Sequence, residues 1–89
     1  MDAALREQFR QELIKQLAAI GPVGARAVQL KLGARAAGFA PTDEVLDAAL
    51  DYLIDKGLVV VKDKSVSPEV KRYKITAAGV DYAAQEGLA

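Results

Sequence analysis

The chain has no cysteine, no histidine and no tryptophan among its 89 residues. Without cysteine there is no disulfide framework and no thiolate metal site. Without histidine as well, the commonest general bases, nucleophiles and soft ligands are missing together. Ser65 and Ser67 remain, but no base lies near them in sequence. These absences point to a protein without enzymatic activity and without a metal or other cofactor. Long apolar runs are also missing: none approaches the roughly eighteen residues of a membrane-spanning helix. The N-terminal stretch MDAALREQFRQEL is polar and periodic, unlike a secretory signal. The expectation is a cytoplasmic protein with no membrane partner.

What is present is enough for one small domain. Apolar residues make up 52% of the chain, which can supply a core without staples. The formal net charge is zero, but the charge is segregated. Residues 1–40 carry six bases against three acids, and residues 41–57 carry five acids against Lys56. Residues 58–76 carry five bases against two acids, and the last thirteen carry only Asp81 and Glu86. Overall charge therefore decides nothing about nucleic acid, and the local pattern has to.

The most informative stretch is TDEVLDAALDYLIDKGLVVV, residues 42–61. Val45, Leu46, Ala49, Leu50, Leu53 and Ile54 form one face of a helix over about 42–56. Thr42 is suited to cap it, and Asp43 and Glu44 sit at the positive end of its dipole. Gly57 is suited to end it. Before it, Asp2 opens a helix over about 2–20 with an expected buried stripe of Leu5, Phe9, Leu13, Leu17 and Ile20, stopped at Gly21-Pro22. A second helix is expected over about 24–37, with Val28, Leu32 and Ala36 on one face, Gly33 inside and Gly38 just past the end. Phe9, Leu13 and Leu17 are expected to pack against Leu50, Leu53 and Ile54. Tyr52 falls off the apolar side, either as a partner contact or as an ordinary half-exposed residue.

After Gly57, strands are expected over about 58–62 and 70–75. Alternation along the second places Tyr73 and Ile75 on one face, Arg72 and Lys74 on the other. A polar connection, DKSVSPE, separates the strands, and Thr76 caps a last helix over about 77–86. The fold class is therefore mainly α with a small β-hairpin.

This order of helix, helix, helix, strand, strand, helix resembles the winged-helix variant of the helix-turn-helix domain. LDAALDYLIDKGLVVV (46–61) is similar to the third helix and first wing strand of that family, VKRYKIT (70–76) to the returning wing strand, and ITAAGVDYAAQEG (75–87) to the turn that follows. Length and layout also resemble the small winged-helix proteins of Mu-like phages and prophages. The resemblance implies a regulator-like protein that binds double-stranded DNA through its third helix. It also implies, by analogy, a homodimer contact through the first and last helices.

The charges on that third helix argue against the usual pose. Asp43, Asp47, Asp51 and Asp55 recur every four residues, with Glu44 beside them. Like charges at this spacing cost a helix stability, so its own needs do not explain the pattern. Glu44, Asp47, Asp51 and Asp55 on the outward face would meet flanking phosphates with repulsion. A straight helix cannot wrap six oxygens around calcium, so a metal site does not follow. The row is either a solvated face or a docking surface, for a basic protein partner or for Arg26, Lys31 and Arg35 of the same chain. Nucleic acid is better served by Lys62, Lys64, Lys71, Arg72 and Lys74 in the wing, which can neutralise phosphates with little base-specific readout. Lysines there can equally serve to discourage strand-to-strand aggregation. Arg26, Lys31 and Arg35 form a second, thinner basic row.

Overall fold

A computed structural model describes residues 1–62 and 71–88. Lys64, Ser65, Ser67 and the first residue of the expected second strand, Val70, lie outside the described residues. The chain begins with helix α1, Ala3–Ile20, where Asp2 Oδ1 accepts the Leu5 N–H at 2.8 Å. A short 3-10 turn over Gly21–Val23 follows. Next come α2 (Ala27–Ala36) and α3 (Asp43–Asp55), then strands β1 (Val59–Val61) and β2 (Tyr73–Ile75), and finally α4 (Ala77–Gln85). The strands pair antiparallel, with Val59 opposite Ile75 and Val61 opposite Tyr73. Among the described residues this is a mainly helical α+β fold: four α-helices and one two-stranded sheet.

The ends of the elements follow local chemistry. Thr42 Oγ1 accepts the Val45 N–H at 3.2 Å and opens α3. Gly57 closes it with φ of 76°, a left-handed conformation that costs other residues sterically. Thr76 does two things at once. Its oxygen accepts the Gly79 N–H at 3.0 Å to open α4, and its hydroxyl donates to the Gly57 carbonyl at 2.6 Å. One side chain thus ties the end of α3 to the start of α4.

α2 starts at Ala27 and not at the expected residue 24. The reason is non-local. Ala25 exchanges two backbone hydrogen bonds with Tyr73, at 2.9 and 2.8 Å, forming an antiparallel bridge on the side of β2 away from β1. A residue whose N–H and carbonyl are both given to a strand cannot also sit in a helical turn. Arg26 then begins α2, its N–H donating to Gln29 Oε1 at 2.8 Å. Both strands are also shorter than the sequence suggests, at three residues each.

The core joins Phe9, Leu13, Ile14 and Leu17 of α1 to Leu30 and Ala34 of α2, Leu46, Ala49, Leu50 and Leu53 of α3, and Val59, Ile75 and Ala83. The expected partnership of the first and third helices is therefore present, with Ile54 half-buried at its margin. Phe39, in the connection before α3, packs on Phe9 with ring centroids 5.5 Å apart. Two expected stripes need correction. Leu5 and Ile20 stay 40% and 39% exposed, and Ile14 takes a core place. Positions four apart advance about 40° around a helix at each step, so a four-spaced row leaves the buried face before it reaches Leu5. In α2 the face is reversed: Val28 and Leu32 point outward and Ala36 is exposed, whereas Leu30 and Ala34 are fully buried. This side of α2 approaches α1 closely. A Cβ at Gly33 would run into the side-chain amide of Gln16.

Candidate functional site

Among the described residues, two charged surfaces remain after the core is assigned. The first is the sheet face turned away from the core. Ile75 is buried and Tyr73 half-buried on the inner face; strand alternation puts Lys74 and Arg72, themselves half-buried, on the other face. Lys74 stands opposite Val60. One step further in the same register sets Lys62 against Arg72, and the Lys62 N–H donates to the Arg72 carbonyl at 2.7 Å. Lys62, Arg72 and Lys74 are therefore gathered on one small patch, with Lys71 exposed beside it. Facing like charges across two strands destabilise the pairing, so sheet stability does not account for this choice. The Lys62 ammonium finds one partner in the Pro22 carbonyl, at 3.0 Å. That contact draws it toward the 3-10 turn and was not legible in sequence, since forty positions separate the two residues.

The second surface is the outward side of α3. Glu44, Asp47, Asp51 and Asp55 are all exposed. Asp43 differs from them. Lys31 reaches it from α2 at 2.6 Å, the only ion pair among the described residues. The hydrogen bond from Lys31, and then its charge, hold the Asp43 carboxyl below the ordinary carboxylate range. The thin basic row is thereby divided. Half-buried Lys31 is spent on Asp43, while Arg26 and Arg35 stay exposed. Arg26, Val28 and Lys31 of α2 face Asp43, Leu46 and Asp47 of α3 across a cleft of about 580 Å³. Among the described residues, no three acids converge in a way that could hold a metal ion.

The inner residue Tyr73 links the two surfaces. Burial pushes its hydroxyl above the usual tyrosine range, and the negative charges of Asp47 and Asp51 push it further the same way. On the other flank of α3, the Arg10 guanidinium lies 3.7 Å from the Tyr52 ring centroid and Lys56 lies at 5.6 Å. Tyr52 is half-covered within its own chain by a cation–π contact. Sequence spacing carried no signal for it, because Arg10 is brought in by the packing of α1 on α3.

No family model, curated protein or solved structure matches the chain. No helix of the described residues is long and apolar enough to cross a membrane.

Proposed function

We propose that the chain is a non-enzymatic, regulator-like protein of winged-helix type that holds double-stranded DNA by its phosphates, through the outer face of its sheet. The order of elements supports the winged-helix type. The observation that carries the function is the gathering of Lys62, Arg72 and Lys74 on one face, with Lys62 set against Arg72. Such a patch neutralises phosphates without reading base edges, so it gives affinity with little sequence preference. The third helix does not enter the groove in this arrangement, because its outward carboxylates would face phosphate.

Fluorescence anisotropy with a labelled random duplex tests this. Binding is expected at low salt and is expected to weaken steeply as salt rises. Arg72→Ala with Lys74→Ala lowers the magnitude of the log–log salt slope by about 2, roughly one for each phosphate contact removed. A folded wild type that binds no duplex at any salt overturns the proposal.

A second use is favoured by one further observation: the four outward carboxylates of α3 are exposed, and among the described residues only Asp43 has an ion-pair partner. That face suits a basic protein partner. An arginine-rich peptide is expected to bind at low salt, to be lost from Asp51→Lys with Asp55→Lys, and to be retained by Asp81→Lys. Equal loss in the Asp81 control would mean net charge alone is being sensed.

A further inference from the structure

Arg10 and Lys56 converge on one tyrosine with no acid to receive them. Arg10 comes from α1 and Lys56 from the end of α3, and both lie over the Tyr52 ring. A ring face attracts a cation, but two cations on one ring repel each other. The C-terminal end of α3 favours a cation at Lys56 and does nothing for Arg10. Among the described residues the one ion pair joins Lys31 to Asp43, so neither Arg10 nor Lys56 has a carboxylate partner. Arg10 is moreover half-buried, where an unanswered charge costs more than in open solvent. Arg10, Tyr52 and Lys56 line a cleft of about 330 Å³ between α1, α3 and α4. Its apolar wall is made by Leu53, Leu58 and Tyr82, the first buried and the others half-buried. That volume lies at the lower end of the range for small-molecule sites, and apolar walls with a few convergent polar groups are their usual make-up. Glu7 is the one acid in the lining, so Arg10 and Lys56 leave the cleft with a single net positive charge.

We propose that this cleft binds a small aromatic monocarboxylate. A carboxylate matches the guanidinium fork of Arg10 with both oxygens, and Lys56 adds a second cation beside it. Bound there, it answers two charges that the fold brings together and leaves unpaired. The net charge selects the head group. One negative charge balances the cleft, whereas a phosphate monoester carries nearly two and would set the excess against Glu7. The wall selects the body. A flat ring can lie on Leu53 and Leu58 and meet the edge or face of Tyr82, which an aliphatic chain does less well. The cleft uses none of Lys62, Arg72 and Lys74, so this proposal and the DNA-binding one can fail separately.

Titration of the isotope-labelled full chain with phenylacetate, followed by amide chemical shifts, tests the proposal. Saturable shifts are expected around Arg10, Tyr52, Lys56, Leu58 and Tyr82, with a Kd of about 1 mM or tighter. Phenylacetamide keeps the shape without the charge, and acetate keeps the charge without the ring. Each is expected to bind at least roughly tenfold more weakly. These comparisons need no substitution, so they decide the matter even if a variant misfolds. Arg10→Gln is expected to weaken phenylacetate binding by roughly tenfold. Arg6→Gln, one turn earlier on α1 and outside this cleft, is expected to leave it unchanged. Glu7→Gln is expected to tighten it, because the opposing charge is gone. Shifts that do not saturate, phenylacetamide binding as well as phenylacetate, or a loss in Arg6→Gln equal to that in Arg10→Gln each overturns the proposal.

Discussion

Gly79→Ala is expected to destabilise the protein by about 2 kcal/mol or more, against the usual direction for this substitution. Within a helix, alanine is ordinarily better than glycine by about 1 kcal/mol. Gly79 lies in the first turn of α4, and a Cβ there would strike the Leu58 carbonyl oxygen and come within 2.6 Å of Ile75 Cγ1. The obstacle is backbone, and that backbone is already committed. The Leu58 carbonyl accepts the Thr76 N–H at 3.0 Å, and the Leu58 N–H donates to the Leu53 carbonyl at 3.0 Å. Moving it disturbs the exit from α3 and the entry to α4 together. Thermal denaturation followed by circular dichroism should show Tm falling by about 10 °C for a domain of this size. Gly33→Ala is the control. Its Cβ meets only the end of the Gln16 side chain, which can swing aside, so the change stays within about 1 kcal/mol. A Gly79→Ala variant as stable as the wild type would mean that α4 does not approach Leu58 this closely.

Phe9→Ala is expected to cost about 3–5 kcal/mol, the largest single loss anticipated for this chain. Phe9 is 1% exposed and packs on Phe39, so truncation removes buried area and leaves a void lined by two elements. A domain of this length has roughly 5–10 kcal/mol in all, so the variant gives up about a third of its stability or more. Leu5→Ala, one turn earlier on α1, should change stability by less than about 1 kcal/mol, because Leu5 is largely in solvent. Urea titrations of the two variants read this contrast. Equal losses would restore Leu5 to the core.

That contrast also shows where sequence ceased to inform. Features set by neighbours within a few positions were legible: the caps at Asp2, Thr42 and Thr76, the stop at Gly57, the face of α3, and the alternation of β2. Features set by distant partners were not. Residues 24–26 have helical neighbours, yet Ala25 is claimed by Tyr73. The large residues Val28 and Leu32 look like a core stripe, but the space beside α1 admits Leu30, Ala34 and Gly33, so size misled where fit decided. At the charged surfaces, composition identified both rows. It left open whether Lys31, Arg26 or Arg35 would answer the acids, and only the placement of α2 and α3 on α1 selects Lys31 for Asp43. The contacts of Lys62 with Pro22 and of Arg10 with Tyr52 likewise arise from the fold and from no local signal.

The bridge between Ala25 and Tyr73 has one more effect. With β1 on one flank and Ala25 on the other, Tyr73 has no open backbone edge to offer a foreign strand. To free it, the segment after the 3-10 turn must detach, and that segment is also the root of α2. The two residues therefore clasp a ring of polypeptide in which α2, α3 and β1 are enclosed.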